Sequence, residues 1–279
     1  MTERSILITG CSSGIGQACA IGMKARGWRV FATARRDVDL QALEVAGLEA
    51  VYLDYADPAS IAACAETVLA ATGGRLDALF NNGAYGQPGA VEDLPMDVLR
   101  AQFEANFFGW HDLTNRMIPT MRRQGHGRIV QCSSVLGLVT LSYRGAYAAS
   151  KFALEGLSNS LKLELRGSGI FVSLIEPGPI ATKFVATSLT AFENNIDIEA
   201  SVHQATYRRR LERLRRGGAS RGKLGPEAVL KALVHAVEHR RPKPHYYVTI
   251  QTHIMALLRR LLPNRLFDFV LARISDAES

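Results

Sequence analysis

The chain has 279 residues, 47% hydrophobic and 21% charged, with a formal net charge of +7. That balance suits one large buried core, and no low-complexity stretch or linker divides the chain, so a single domain over residues 1–279 is expected. No span approaches the roughly 20 apolar residues of a membrane helix, and the opening residues enter a strand without the basic and apolar regions of a signal peptide, which points to a cytoplasmic protein.

Residues 5–16 read Ser-Ile-Leu-Ile-Thr-Gly-Cys-Ser-Ser-Gly-Ile-Gly: an apolar strand over 5–9, then Gly10, Gly14 and Gly16, then a helical pattern to about residue 26. Glycines between a strand and a helix permit a tight bend and close approach of backbone to a pyrophosphate, while the helix N-terminus offers free N–H groups to the anion. The spacing is Gly-x-x-x-Gly-x-Gly, distinct from the general Gly-x-Gly-x-x-Gly dinucleotide fingerprint. Further strand-like runs fall at 29–34, 50–53, 78–81, 128–132 and 171–175, and helical patterns at about 14–26, 58–72, 95–122 and 143–166. Short apolar runs alternating with helices predict a doubly wound α/β fold, a parallel sheet covered on both faces. Ligands bind at the carboxyl ends of the strands in such sheets, and the glycine turn, Asp54, Asn81, Ser134 and Pro177 all follow strands.

The second strand ends in Ala34-Arg35-Arg36. An NAD site would place a carboxylate near this point to bind the ribose 2′-hydroxyl. With Ala34 there and the guanidinium of Arg35 beside it, a 2′-phosphate is accommodated and NADP(H) is favoured, although Asp37 could partly neutralise the two arginines. Farther on, Tyr147 and Lys151 share a helical face at i and i+4, which lets the ammonium favour the phenolate. Bringing a tyrosine from a pKa of about 10 to neutrality needs about 4 kcal/mol, more than one lysine supplies. An oxidised nicotinamide would be the second cation. Cys11, Cys19, Cys64 and Cys132 lack metal-ligand spacing and read as reduced, buried thiols, and no metal site is expected.

Taken in order, Thr9-Gly10-Cys11-Ser12-Ser13-Gly14-Ile15-Gly16, Asn81-Asn82-Gly83-Ala84, Asn106, Ser134, Tyr147-x-x-x-Lys151 and Pro177-Gly178 resemble the short-chain dehydrogenase/reductase family over roughly residues 4–185. The wording around Tyr147 is most similar to hydroxysteroid and retinol dehydrogenases and to bacterial NADP-dependent aldehyde reductases. One departure is the usual Asn-Asn-Ala-Gly, which is Asn81-Asn82-Gly83-Ala84 here and implies a slight backbone shift in the adenosine-side wall. The resemblance implies a catalytic set of Asn106, Ser134, Tyr147 and Lys151: Tyr147 as acid or base, Ser134 on the reacting oxygen, Lys151 on the nicotinamide ribose, and Asn106 distorting its helix and anchoring a relay water. It implies cofactor contacts at Gly10, Ser12, Ser13, Gly14, Ile15, Gly16, Arg35, Arg36, Asp54, Asn82, Tyr147, Lys151, Pro177, Gly178, Ile180 and Thr182, with Asp54 on the adenine and Thr182 on the carboxamide. A homo-oligomer, dimer or tetramer, is also expected. A non-catalytic NADP(H) sensor is the competing reading, and the full catalytic set argues against it.

Beyond residue 182 the template becomes variable. Residues 183–225 are expected to form a substrate lid, with Phe184, Leu189 and Phe192 as apolar contacts, Val135, Leu138 and Leu141 extending the wall, and 220–225 as a flexible return. Such a pocket suits an apolar aldehyde, ketone or alcohol, retinoid- or steroid-like. The basic run 207–216 invites a nucleic-acid reading, but no nucleic-acid-binding motif accompanies it, and Tyr207, Leu211 and Leu214 at i, i+4 and i+7 mark a packed helix face. Over 250–275, Ile250, Ile254, Leu257, Leu258, Leu261 and Leu262 form an apolar stripe, Pro263-Asn264 interrupts, and Leu266, Phe267, Val270 and Leu271 resume it. Packing of this stripe against protein is the default expectation, and contact with an anionic membrane surface is the alternative.

Overall fold

The computed structural model describes residues 3–215 and 223–277. Seven parallel strands form one sheet: β1 (Ser5–Ile8), β2 (Arg29–Ala34), β3 (Glu49–Tyr52), β4 (Ala78–Asn81), β5 (Gly127–Cys132), β6 (Ile170–Glu176) and β7 (His245–Tyr247), in the order β3-β2-β1-β4-β5-β6-β7. Strands buried on both faces need near-continuous apolar side chains, and β1 and β4 are buried along their whole length. The chain reverses its direction of winding between β1 and β4, which opens the crevice where ligands of such sheets bind.

Helices α1 (Gly14–Ala25), α2 (Asp37–Val45), α3 (Pro58–Ala71), α4 (Met96–Phe103), α5 (Gly109–Gln124), α6 (Gly145–Glu164) and α9 (Glu227–Glu238) alternate with the strands, while α7 (Phe184–Asn195) and α8 (Gln204–Arg215) follow β6. Two helices, α10 (Ile250–Leu261) and α11 (Asn264–Ala277), close the chain. Tyr207 and Leu211 of α8 bury with Phe192 and Ile196 in a second apolar cluster, as the i, i+4 pattern requires. The side chain of Leu214 and the expected return at 220–222 lie outside the described residues.

The helical pattern at 95–122 is distorted at Asn106, as the resemblance implies: between α4 and α5 the turn Glu104–Phe108 is a π-helix, and its wider ring accommodates Asn106 facing inward. Two elements were not expected. Helix α2 is short and leaves Val38 and Val45 exposed, so its sequence shows little periodicity. Strand β7 has three residues between Pro244 and α10, too few to read from alternation.

The expected apolar stripe is divided between packing and exposure. The helix packs through Thr252 and Ala256, Leu258 and Leu262 are half-buried, as are Phe267, Val270 and Leu271 of α11, while Ile250, Ile254, Leu257 and Leu261 are exposed. Small residues allow close approach: a Cβ on Gly178 would lie 2.2 Å from Thr249 Oγ1 and 3.1 Å from Thr252 Oγ1. Leu138, expected in the substrate wall, instead uses its carbonyl to accept a hydrogen bond from Arg259 of α10.

Two glycines test this packing in opposite directions. A Cβ on Gly16 would lie 2.2 Å from the Gly10 carbonyl oxygen, whereas one on Gly156 in α6 meets nothing within 4 Å. Gly16→Ala should therefore destabilise by about 1–3 kcal/mol through overpacking, and Gly156→Ala should stabilise by up to about 1 kcal/mol through helix propensity. Urea midpoints of the two variants check the pair.

Candidate active site

Parallel strands bring their carboxyl ends to one edge, and a cavity of about 920 Å³ lies along it. Its lining contains Gly10, Ser12, Ser13, Gly14, Ile15, Arg35, Arg36, Asp54, Asn82, Ser134, Tyr147, Lys151, Pro177, Gly178, Ile180 and Thr182. Gly16 and Asn106 do not reach it. Gly16 gives α1 its close approach to the β1 turn, and Asn106, fully buried, accepts from Tyr85 N at 3.2 Å and donates to Tyr85 O at 2.8 Å. It thereby ties the π-turn to the loop after β4, whose residues 85–89 wall the cavity.

The turn fits a dinucleotide pyrophosphate on its own geometry. Gly10 and Gly14 have φ of +69° and +60°, a region that L side chains rarely adopt. Ser13 is the N-cap of α1 but makes no side-chain cap bond, so it supplies no acceptor to the first-turn N–H groups, which remain suited to an anion. Thr9 organises the other wall. Its Oγ1 accepts from Asn82 N at 2.8 Å and Gly83 N at 3.1 Å, with the Tyr55 hydroxyl at 2.8 Å. The exchanged order Gly83-Ala84 follows from crowding: a Cβ at Gly83 would sit 3.2 Å from Gly10 Cα and 3.4 Å from the Tyr55 ring.

The two arginines after β2 are not equivalent. Arg36 forms two bonds to Asp39, at 2.7 and 2.9 Å, so its guanidinium is already occupied. Arg35 is 67% exposed, with Asp54 3.9 Å away. Asp39 and Asp54, rather than Asp37, are therefore the neighbouring carboxylates.

On the other side of the cavity, Ser134 caps a 3₁₀ turn, accepting from Leu136 N at 3.1 Å, and it lines the cavity together with Tyr147. Lys151 is 1% exposed, donates to the Cys132 carbonyl at 2.8 Å and lies 4.2 Å above the Trp110 ring. Burial lowers its ammonium to about 8, while Cys132 and Glu155 pull it back up. Burial also holds the Tyr147 phenol above its ordinary value, Cys132 adds to the rise, and Ser134 opposes it. The phenol thus carries a proton at neutral pH, the state required of an acid. Phe184 of α7 packs edge-on against Tyr147 with ring centroids 5.3 Å apart, and Leu141, Leu189, Phe192 and Leu211 continue the apolar wall.

Several lining residues escaped sequence reasoning. Tyr143 has φ +65°, just before the catalytic helix, and meets the Tyr207 ring edge-on at 5.6 Å; Arg144, Lys183, Arg210 and Arg213 also border the cavity. Only the strained backbone at Tyr143 would single it out, and sequence does not display that. Behind Lys151 lies a further group, Glu155, Glu176 and His245, with His245 Nδ1 2.6 Å from Glu176 Oε1 and 4.0 Å from Glu155 Oε2. Glu176 accepts from His245 and from Tyr246 N at 3.0 Å, whereas Glu155 Oε1 is buried without a hydrogen-bond partner.

The chain belongs to the short-chain dehydrogenase family: the family described as short chain dehydrogenase matches residues 4–192. It is 42% identical over 269 residues to the uncharacterized oxidoreductase YbbO of Escherichia coli K12, covering 96% of this chain and 94% of that one. It is 35% identical to human retinol dehydrogenase 8 over 86% of this chain and 79% of the relative. Among solved structures, a short-chain dehydrogenase/reductase from Burkholderia phymatum in complex with NAD aligns with TM-score 0.76 at 27% identity, covering 92% of each chain. A variant of the actinorhodin polyketide ketoreductase with NADPH aligns with TM-score 0.72 at 26% identity, over 88% of this chain and 96% of that one. The protein is an oxidoreductase of this family.

The buried carboxyl gives a pH dependence of stability. Burial, then the Glu176 charge, raises Glu155 from 4.5 to about 7, opposed by Ser133, His245 and Lys151. A carboxyl that binds its proton more tightly when folded contributes stability below pH 4.5 that is lost as pH climbs through 7, on the order of 3 kcal/mol. The melting temperature should fall between pH 5 and pH 7.5, and Glu155→Gln should flatten that fall, as calorimetry across that window would show.

Proposed function

We propose that the protein is an NADP(H)-dependent reductase of apolar aldehydes or ketones, able to oxidise the matching retinoid- or steroid-like alcohols. The observation that carries this reading is the position of Tyr147, Ser134 and Lys151 at the meeting point of the glycine-turn half of the cavity and its apolar half. A bound nicotinamide supplies the hydride for reduction or accepts it in oxidation. Tyr147 donates its proton to the carbonyl oxygen, and Ser134 holds that oxygen by hydrogen bonding. Lys151 keeps positive charge behind the phenol and, in the reverse direction, favours the phenolate. Asn106 acts at one remove by fixing the Tyr85 loop. Helices α7 and α8 serve as the lid, their aromatic and leucine side chains excluding water from the reacting carbon. Relatives that include a retinol dehydrogenase support an apolar substrate.

The cofactor preference rests on charge. Ala34 offers no carboxylate, Arg35 borders the cavity with its guanidinium largely exposed, and Asp39 is neutralised by Arg36. A 2′-phosphate suits that corner better than a bare hydroxyl. A cytoplasmic homo-oligomer belongs to the same reading.

Tyr147→Phe removes one hydroxyl, so the variant should fold and bind NADPH while turnover falls at least about a hundredfold. Stopped-flow NADPH oxidation across an aldehyde and ketone panel tests it, and near-parental turnover would refute the assigned role. Arg35→Asp should weaken NADPH and raise the NADH to NADPH ratio of kcat/KM by at least about tenfold. An unchanged ratio would place the guanidinium in solvent, away from the cofactor.

A further inference from the structure

The outward apolar stripe of the last two helices is not explained by catalysis. Ile250, Ile254, Leu257 and Leu261 on α10, with Leu266 and Phe269 on α11, are between 47% and 75% exposed. They are aligned at helical spacing, whereas scattered surface leucines need no explanation and contiguous ones do. The same segment is net positive. From residue 239 to residue 277 the sequence contains Arg240, Arg241, Lys243, Arg259, Arg260, Arg265 and Arg273 against Asp268 and Asp276.

We infer that α10 and α11 dock on an anionic lipid surface, with the exposed stripe in the interfacial region and Arg240, Arg241, Lys243, Arg260 and Arg265 at the headgroups. An apolar helical face flanked by cations is the pattern that binds such a surface. A second copy of this chain is a poorer occupant, because a two-fold contact would set this net-positive segment against itself. The helices are too short to cross a bilayer, and no helix among the described residues is long and apolar enough to do so.

The surface also adjoins the cavity. Arg210 of α8 donates to Ser275 O of α11 at 2.9 Å, and Ser142 N donates to Ser275 Oγ at 3.1 Å, beside Tyr143 of the cavity wall. A lipid-dissolved carbonyl compound would therefore enter from the membrane side, an extension that rests on the proposed function, whereas the docking itself does not.

The test uses the full chain with vesicles of phosphatidylcholine alone and of phosphatidylcholine mixed with phosphatidylglycerol. The protein should co-sediment with the mixed vesicles, release in high salt, and bind the neutral ones far less. The variant Ile254→Gln, Leu257→Gln, Leu261→Gln changes exposed side chains only, so it should fold and lose at least about tenfold in partitioning. Arg260→Glu with Arg265→Glu should abolish the preference for phosphatidylglycerol. Failure of the parent to bind either vesicle would overturn the inference. So would a dimer, measured by sedimentation velocity, that the triple-glutamine variant splits into monomers, since the stripe would then be a contact between copies. Vesicle binding without reduction of any carbonyl would leave the docking surface standing and remove the proposed activity instead.

Discussion

A lysine ammonium buried at the end of β5 sets the conditions for the whole site. Removing that charge from water costs several kcal/mol unless dipoles replace the lost hydration. Here the Cys132 carbonyl at 2.8 Å and the face of Trp110 at 4.2 Å do part of this, and Glu155, one helical turn on, adds opposite charge. The compensation is incomplete, which is why Lys151 falls to about 8 while Glu155 climbs to about 7. Lysine and carboxyl are each drawn toward neutral pH by burial. Burial likewise holds the phenol of Tyr147 above its ordinary value, so it keeps its proton at neutral pH, as an acid must.

Placing that lysine required the sheet edge. Neighbouring strand ends supply the polar groups, and only parallel winding puts them side by side. Thr9 then acts as the joint between the first strand and the fourth, since its one hydroxyl meets two backbone N–H groups and the Tyr55 hydroxyl. Its burial leaves no water to substitute for any of them. The glycines beside it are there because the turn and the β4 loop approach to within contact of their backbones, not because the loop is loose.

This division explains what sequence could and could not reveal. Gly10, Gly14, Ser134, Tyr147 and Lys151 are legible because each serves a local spacing: a turn, a strand end, one helical face. The doubly wound sheet is legible for the same reason, with strand limits displaced by about one residue. Glu155, Glu176 and His245 are not, because they lie on three elements, and it takes both the β6–β7 pairing and the packing of α6 on β6 to bring them together. The unequal fates of Arg35 and Arg36 were equally hidden: adjacent residues of one type differ because α2 begins at Asp37 and places Asp39 under Arg36 alone. Periodicity likewise revealed the stripe on α10 but not its division, since an amphipathic pattern reports two faces and not which residues meet protein.

That division has a mechanical consequence. The packed face of α10 presses Thr249 and Thr252 onto Gly178, in the loop that lines the cofactor half of the cavity, so a side chain larger than hydrogen at Gly178 would have no room. At its other end the helix pair reaches α8 and the Tyr143 loop through Arg210 and Ser275. The last two helices therefore touch both the cofactor wall and the substrate wall while offering their exposed apolar side chains to the outside.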